Sequence, residues 1–247
     1  MPRPVVLVVD TGVDDALALV VAARHPHLDL RAVVATGGNT GLGRVLANTA
    51  HVLGLLECAV PIAAGPAVRR DGTAFPPRLG HGPDGLAGAG PPLPLDPESL
   101  PSPGGVLAPG AVLVSLGPLT AVADLVAPEA GAAPVAAGAP VPVLAACARP
   151  GEANHAMDPS AAADVERSGV RLAHDGGEAF SAPGVPAGVA EAMARSADPV
   201  TALAGTLLLH QSGRGAGLGD AGVVLRLAEA GIAADDAAAR LVELAGG

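Results

Sequence analysis

Aromatic residues are almost missing from this chain of 247 residues. Phe75 and Phe180 are the only ones, and Trp and Tyr do not occur. Because aromatic side chains are what usually stacks on a nucleobase or a sugar ring, any ligand pocket has few stacking candidates. Half of the residues are nonetheless apolar, so a chain of this length can bury a sizeable core.

Cysteines and clusters of basic residues are also scarce. Cys58 and Cys147 are the only cysteines and have no neighbouring metal-ligand residues, which argues against a zinc site or a disulfide framework. The formal net charge is −10, and basic residues cluster no further than pairs such as Arg69-Arg70. A protein that binds a nucleic-acid backbone concentrates Lys and Arg on one surface, so we expect no nucleic-acid partner.

Long hydrophobic runs do not occur either. Gly, Pro or Asp interrupts each apolar run before it reaches the roughly 18 to 20 residues that a bilayer span requires. The segment Met1-Pro2-Arg3-Pro4 leads directly into a strand-like run, without the apolar region and cleavage site of a signal peptide. We therefore expect a cytoplasmic protein with no membrane partner.

The chain does contain strand-like apolar runs that alternate with Ala- and Leu-rich helical patterns. This alternation indicates βαβ units and predicts one α/β domain over residues 1–247, Rossmann-like, with a mostly parallel central sheet flanked by helices. The predicted strands are residues 5–9, 30–35, 60–64, 111–115 and 141–146. The predicted helices are residues 14–23, 41–56, 118–126, 158–168, 186–210 with a break near residue 198, and 235–244. Residues 66–110 form a long Pro- and Gly-rich loop, and so long a connection is typically either functional or disordered.

Three carboxylates follow the first apolar run directly. Asp10, Asp14 and Asp15 lie within six residues, and Gly12 permits a tight turn between strand and helix. A single acidic side chain is enough to cap a helix, where it contributes roughly 0.3 to 1 kcal/mol. Three of them favour a site for a hard cation such as Ca²⁺ or Mg²⁺, which prefers oxygen ligands. We interpret this strand end as a cation site, with simple helix capping as the alternative.

Polar residues follow other predicted strands as well. In open parallel sheets ligands bind beyond the carboxyl ends of the strands, so residues just after each apolar run are candidates for a binding site. The residues in such positions are Asn39, Leu116, Gly117, Glu152 and Asn154, and Asp198 opens a late helix. Each of them alone can be a turn or cap residue. Together they predict a site built from several elements.

Two other motifs give weaker hypotheses. The glycine-rich segment 37–43 follows a strand, but its spacing is not that of a dinucleotide-binding loop. Asp10-Thr11-Gly12 resembles the segment that carries the nucleophilic aspartate of a phosphatase on a Rossmann-like sheet. That motif requires a second aspartate at the position of Gly12. A phosphatase therefore remains only a weak enzyme alternative.

Several ordered segments resemble the inosine-uridine preferring nucleoside hydrolase family. The resemblance covers most of residues 5–204. It is carried by Asp10-Thr11-Gly12-Val13-Asp14-Asp15-Ala16-Leu17, Gly37-Gly38-Asn39, Asn48-Thr49-Ala50, Pro61-Ile62-Ala63-Ala64-Gly65, His81-Gly82-Pro83-Asp84-Gly85-Leu86, Ser115-Leu116-Gly117-Pro118-Leu119-Thr120, Glu152-Ala153-Asn154, Asp158-Pro159 and Asp198-Pro199.

The resemblance implies an N-ribosyl hydrolase of nucleoside metabolism with one bound Ca²⁺. By similarity, Asp10, Asp15 and Asp198 ligate the ion through carboxylates. Leu116 ligates it through its backbone carbonyl. The small-molecule substrate would be a ribonucleoside or a related ribosylated compound, and the resemblance is compatible with a homodimer or homotetramer.

The same resemblance implies how the substrate is held and attacked. Asp10 would also take a proton from a water whose pKa the cation lowers, so that the resulting hydroxide attacks the anomeric carbon. The residues that would hold the ribose hydroxyls are Asp14, Asn39, Glu152 and Asn154. The transition state carries positive charge on the sugar, and a carboxylate-rich pocket stabilises that charge.

The chain also departs from the family pattern. Val8 stands where the opening motif usually has another aspartate, and Ala197 stands where many members have a histidine that protonates the departing base. His81, in the long loop, is the candidate catalytic residue that replaces this acid. Residues 127–150 and the region after 211 look shortened. A catalytically impaired ribose- or nucleoside-binding descendant is therefore the alternative function.

Overall fold

A parallel β-sheet lies at the centre of the structure. The computed structural model describes residues 1–76, 78–107, 110–126, 142–175, 184–213, 217–229 and 234–246. The strands of the sheet are β1 (Arg3–Val9), β2 (Leu28–Ala35), β3 (Ile62–Ala64), β4 (Val112–Ser115), β5 (Val143–Ala146) and β6 (Leu172–Asp175). They pair in the order β3-β2-β1-β4-β5-β6, and every pair is parallel. This confirms the predicted α/β fold class.

Helices cover the sheet. They are α1 (Val13–Arg24), α2 (Leu42–Leu55), α3 (Thr120–Val126), α4 (Ala153–Met157), α5 (Pro159–Arg167), α6 (Ala187–Ala194), α7 (Pro199–Ser212), α8 (Asp220–Ala228) and α9 (Ala234–Gly246). In the ranges given above, no helix is long and apolar enough to cross a membrane.

Strand β1 shows why the sheet lies at the centre. Residues 5–9 are all buried, and successive side chains point to opposite faces of the sheet. Val5, Leu7 and Val9 contribute to a core shared with α1 and the helices from α6 to α9. Val6 and Val8 contribute to the opposite core, which α3 and α5 complete. A strand covered on both faces explains the uninterrupted apolar run in the sequence.

Helix α1 is itself buried on most sides, because it packs between the sheet and helices α7 to α9. Its start is fixed by the acidic motif, since the N–H of Gly12 donates to Oδ2 of Asp15 at 2.9 Å. An acidic residue in the first helical turn both caps the chain and complements the helix dipole. The carboxyl end of β1 and the start of α1 are therefore held as one rigid unit.

The long loop is held by side chains rather than by regular structure. Its described residues form only short 3₁₀ turns, at Leu79–His81, Pro97–Ser99 and Pro103–Val106. The carboxylate of Asp84 accepts N–H bonds from Leu86, Gly88 and Gly90, which closes the turn after His81.

Three elements were not predicted from the sequence: α4, β6 and α8. Strand β6 reads Leu-Ala-His-Asp and has no apolar alternation, and α4 is only five residues long. The predicted strand at 141–146 begins outside the described residues. Residues 127–141 of the segment 127–150, which looks shortened in the sequence, also lie outside them, as does Phe180.

Candidate active site

The candidate site lies where the chain reverses its direction of travel across the sheet. From β1 the chain proceeds to β2 and β3 on one side, and it later returns to place β4 on the other side of β1. Such a switch point leaves a crevice at the carboxyl ends of the two neighbouring strands. Asp10 follows β1 and Leu116 follows β4, so both residues border this crevice.

A cavity of about 120 Å³ occupies the crevice. We call it the acidic cavity, and its polar lining includes Asp10, Asp14, Asn39, His81, Asn154 and Asp220. Side chains from residue 10 to residue 220 thus meet in one small volume, and three of these six are aspartates.

Backbone from two neighbouring loops holds the carboxylate of Asp10 at the wall of the acidic cavity. It is 1% exposed, and its Oδ2 accepts the backbone N–H of Asn39 at 2.8 Å. A β-carbon at Gly38 would lie 2.1 Å from Oδ2, and one at Gly117 would lie 2.6 Å from Oδ1. Both glycines are therefore required for the close approach of two backbones to this carboxylate, which explains their places in the motifs after β2 and β4.

Asp15 organises the loop between β1 and α1. Its carboxylate accepts the N–H groups of Asp10 at 3.3 Å and Gly12 at 2.9 Å, and the side-chain amide of Asn39 at 3.3 Å. Asn39 thus donates to Asp10 through its backbone and to Asp15 through its side chain. The two predicted ligands are held in a common network that spans β1 and β2.

Asp220 is a third buried carboxylate at this place, and the sequence did not reveal it. Oxygen atoms of Asp14, Asp15 and Asp220 all lie within 4.8 Å of one another. Gly219, at φ +55°, packs against Asp14, since a β-carbon there would lie 2.8 Å from that of Asp14. This contact allows α8 to begin at the cavity and to present its first residue to the other carboxylates.

Burial raises the pKa of these carboxyl groups, and their mutual repulsion raises it further. The pKa of Asp10 rises from its ordinary value of 3.8 to about 7. The pKa values of Asp15 and Asp220 also rise well above the ordinary value of 3.8. The backbone N–H of Asn39 acts in the opposite direction on Asp10. Like charges this close and this buried are stabilised by a positive ion.

The donor set fits a divalent cation. Within the described residues, Oδ1 of Asp14 and Oδ1 of Asp220 are buried and accept no hydrogen bond. Buried acceptors without a donor are costly, and a hard cation is the partner that carboxylate oxygens satisfy best. The residues brought together here are therefore consistent with the predicted kind of metal site.

Asn154 connects the carboxyl ends of β4 and β5. Its side-chain amide donates to the carbonyl of Leu116 at 2.5 Å and to that of Ala146 at 2.9 Å. A carbonyl oxygen has two lone pairs, so the Leu116 carbonyl retains one for a ligand in the cavity that it lines. Asn154 therefore positions the predicted carbonyl ligand.

His81 reaches the cavity from the long loop. Its Nδ1 accepts the backbone N–H of Val13 at 3.1 Å, and the same nitrogen lies 3.6 Å from Oδ1 of Asp14. Because Nδ1 accepts a hydrogen bond, the neutral ring carries its proton on Nε2. In this tautomer the N–H at Nε2 can donate a hydrogen bond, whereas transfer of a proton to a leaving group requires the imidazolium form of the ring.

The structure corrects the expectation for Asp198. This residue is exposed and caps α7, where its Oδ2 accepts the N–H of Thr201 at 2.7 Å and its hydroxyl at 2.6 Å. These two bonds lower the pKa of Asp198, and nearby Arg24 lowers it further. Arg24 is the last residue of α1 and lies about 15 Å along the helix axis from Asp14, at 1.5 Å per residue, so Asp198 lies toward the end of α1 that is far from the carboxylates. Asp198 is a helix cap, and Asp220 is the late aspartate at the site.

Glu152 is placed near the site but turned away from it. Its Oε2 accepts the backbone N–H of Arg149 at 2.7 Å, and its side chain is not part of the cavity lining. Among the residues proposed for ribose binding, the structure brings Asp14, Asn39 and Asn154 into the acidic cavity.

Two further lining residues were missed, Arg78 and Cys147. Cys147 directly follows β5 and has φ +47°, a strained conformation for a residue with a side chain. Burial raises the pKa of its thiol to about 11, so it stays neutral. The strand-end rule, applied to β5, would have found it. Arg78 lies in a loop without any periodic pattern, where the sequence offers no comparable signal.

Fold and site together define a parallel α/β protein with a cluster of buried carboxylates at its topological switch point. The sequence profile of the inosine-uridine preferring nucleoside hydrolases matches residues 5–178, and the chain belongs to this family.

Individual relatives match less of the chain. The pyrimidine-specific ribonucleoside hydrolase RihB of Escherichia coli strain SE11 is 41% identical over 63 residues, which are 26% of this chain and only 20% of that relative. Among solved structures, the plant nucleoside hydrolase PpNRh1 is similar over 93% of this chain and 79% of its own, with 21% identity and a TM-score of 0.71. A purine-preferring ribonucleoside hydrolase from Gardnerella vaginalis is similar over 92% and 80%, with 19% identity and a TM-score of 0.73. At this level of identity the two structures show that the fold is shared.

Proposed function

We propose that this protein hydrolyses the N-glycosidic bond of a ribonucleoside or a related ribosylated small molecule, with Ca²⁺ bound in the acidic cavity. The observation that carries the proposal is the convergence of Asp10, Asp14, Asp15 and Asp220 at the carboxyl end of β1. Family membership supports the class of reaction, and the carboxylate cluster supports the requirement for a cation.

The residues that would hold the ion are Asp10, Asp15 and Asp220 through carboxylates and Leu116 through its carbonyl. Asp220 takes the role that the sequence had suggested for Asp198. When bound, the ion lowers the pKa of water and binds vicinal hydroxyls of the sugar. Oxygen ligands with several negative charges favour Ca²⁺, which accepts six to eight of them.

Asp10 is the base that takes the proton from the attacking water. Its carboxylate is held in one orientation by the N–H of Asn39 and by the backbones of Gly38 and Gly117, so it loses no orientational freedom in the reaction. General base catalysis of this kind typically contributes about 10² to 10⁴ in rate.

The remaining polar groups bind and orient the sugar. Asp14, Asn39 and Asn154 line the cavity and offer acceptors and donors for ribose hydroxyls. Glu152 completes this set once its side chain releases the N–H of Arg149. As the glycosidic bond breaks, positive charge develops on the sugar, and the surrounding carboxylates stabilise that charge more than they stabilise the neutral substrate.

His81 is the proposed proton donor of the loop, through Nε2. The residue before Asp220 is Gly219, which packs against Asp14 and has no side chain to donate a proton. Among the described residues that line the acidic cavity, His81 is the only histidine. This makes it the candidate to protonate the leaving group or to hold a sugar hydroxyl.

Release of ribose from a panel of purine and pyrimidine ribonucleosides tests the proposal. The protein is assayed after chelation, after chelation and return of Ca²⁺, and as an Asp10→Ala variant. We expect release only with Ca²⁺ and an intact Asp10. If the Ca²⁺-loaded protein releases no ribose from any substrate, yet binds ribose in calorimetry, the binding-only descendant is the correct alternative.

A further inference from the structure

A second cavity lies beside the acidic one. We call it the apolar cavity; it measures about 350 Å³, and Phe75, Leu79, Ala67 and Ala74 form much of its wall. It continues along the backbone from Gly38 to Gly41, and Asn39 and Arg78 line both cavities. A substrate with its sugar among the carboxylates would therefore extend its other half past Arg78 into the apolar cavity.

The apolar cavity suits a flat heterocycle. Phe75 is the one aromatic side chain in the described ranges, and it packs on the backbone, since a β-carbon at Gly37 would lie 2.8 Å from its ring. A ring fixed in this way offers a surface for stacking at little entropic cost. The leaving group of the proposed reaction therefore has a defined place, separate from that of the sugar.

Arg78 stands at the junction of the two cavities. It is half-buried and lines both the acidic and the apolar cavity. Its charge acts on Asp10, whose pKa it lowers in opposition to the larger effect of burial. Positive charge at a junction between an acidic and an apolar space is best placed for a group that becomes anionic there.

We propose that Arg78 stabilises the negative charge of the leaving group, a contribution that rests on the proposed hydrolysis. In the reaction, the oxygen of water forms a bond to the anomeric carbon and one water proton passes to Asp10. The C–N bond breaks, and its electron pair remains on the nitrogen of the departing heterocycle. The resulting anion is paired with the guanidinium until a proton from solvent, or from His81 in its imidazolium form, neutralises it, and Asp10 returns its proton to solvent.

This role follows from the chemistry of arginine. A guanidinium stays charged at all ordinary pH values, so it stabilises an anion without donating its proton. Its contribution therefore grows with the charge that develops on the leaving group, and it is greatest for heterocycles that are poor leaving groups. Removing one such donor from a developing anion typically costs 10²- to 10³-fold in kcat.

The test compares leaving groups in the Ca²⁺-loaded protein. Arg78→Gln and Arg78→Lys are assayed with inosine, uridine and 4-nitrophenyl riboside, whose phenolate departs easily. We expect Arg78→Gln to lower kcat for inosine and uridine about 10²-fold or more and to lower it less than about 10-fold for the nitrophenyl compound. Arg78→Lys should recover part of the loss, and Arg31→Gln, an exposed arginine paired with Asp29, should match the parent protein.

The possible results distinguish a failure of the role of Arg78 from a failure of the proposed hydrolase function. Equal losses for all three substrates, a change in KM alone, or unchanged kinetics overturn the role of Arg78 while the hydrolase stands. Absence of turnover in the parent protein overturns both. Unchanged Ca²⁺ affinity and unfolding temperature in the variants establish that the comparison concerns the leaving group and not the fold.

Discussion

Gly38 lies directly against the carboxylate of Asp10: a β-carbon on Gly38 would be 2.1 Å from Oδ2. The same oxygen accepts the N–H of Asn39 at 2.8 Å, so Gly38 and Asn39 hold Asp10 from neighbouring positions after β2. No side chain fits between the loop and the carboxylate. The proposed base therefore depends on a residue that carries no functional group.

Gly38→Ala should reduce kcat strongly while the protein remains folded. The new methyl group must displace the carboxylate of Asp10, and a displacement of about 1 Å in a reacting group can cost on the order of 10² in rate. We expect about a 10²-fold loss of kcat in ribose release. Circular dichroism and the unfolding temperature report whether the fold is retained.

Gly54→Ala is the matched control for this prediction. Gly54 lies in α2, and a β-carbon there meets nothing within 4 Å. Alanine in a helix is more favourable than glycine by up to about 1 kcal/mol, so this variant should be as active as the parent and slightly more stable. Full activity in Gly38→Ala would show that Asp10 is free to move and is not the positioned base.

Much of the sheet could be predicted because buried parallel strands have a simple pattern. Residues 5–9 form a continuous apolar run, residues 30–35 are apolar except for Arg31, and the structure contains β1 and β2 at these places. Strand β6 could not be found in this way. It is an edge strand with half-exposed side chains, so its sequence lacks the apolar run that full burial produces.

The candidate site was predictable where it belongs to strand ends and not where it belongs to a late helix. Asp10 and Leu116 each directly follow a strand, Asn39 lies four residues after one, and the parallel topology brings the three together. The sequence could not distinguish Asp198 from Asp220, because both open helices and only tertiary packing decides which helix starts at the cavity. Helix α8 packs along α1 and reaches the site, whereas α7 begins near the other end of α1.

Substitution of Asp220 and substitution of Asp198 should have different effects on the affinity for Ca²⁺. Asp220→Asn removes a buried charge beside Asp14 and Asp15, so we expect the affinity for Ca²⁺ to fall at least about 10²-fold, with a parallel loss of activity. Asp198→Asn changes an exposed cap and should leave the affinity unchanged. Calorimetric titration of the chelated proteins measures both. Loss of affinity in Asp198→Asn, with Asp220→Asn unaffected, would return the ligand role to Asp198.

The stability of the chelated protein should fall as the pH rises. Burial raises the pKa of Asp10 to about 7 and raises those of Asp15 and Asp220, so between about pH 4 and 7 the folded state binds more protons than the unfolded state. The free energy of unfolding then decreases as the pH rises. In the folded state the carboxyl groups must ionise although they are buried and repel one another, whereas in the unfolded state they ionise in water. We expect a lower unfolding temperature at pH 7.5 than at pH 5 without Ca²⁺.

Ca²⁺ should reverse this trend. It binds the ionised carboxylates, so its stabilising effect is larger at pH 7.5 than at pH 5, where protons compete with the ion. Asp15→Asn removes one of the coupled groups and should make the unfolding temperature of the chelated protein less dependent on pH. A chelated parent protein that becomes more stable between pH 5 and 7.5 would mean that these carboxyl groups are not mutually repelling in the folded state.

Asn154→Asp should destabilise the fold more than the loss of one side chain suggests. The amide of Asn154 donates to the carbonyls of Leu116 and Ala146. A carboxylate has no hydrogen to donate, so it would leave both buried carbonyls without a partner and would repel them. Each buried polar group left without its partner costs about 1 to 3 kcal/mol, and a buried charge costs more. We expect a loss of at least about 3 kcal/mol in the free energy of unfolding, measured by urea titration at pH 7.5.

Glu152→Gln, two residues away, separates this effect from a general weakness of α4. The side chain of Glu152 is partly exposed and faces Arg149, so the substitution should cost less than about 1 kcal/mol. At pH 5 the carboxyl group of Asn154→Asp is more readily protonated and can donate one of the lost bonds, so part of the stability should return. Equal stability of the Asn154→Asp and Glu152→Gln proteins at pH 7.5 would show that the Leu116 carbonyl is held in the cavity by the backbone alone.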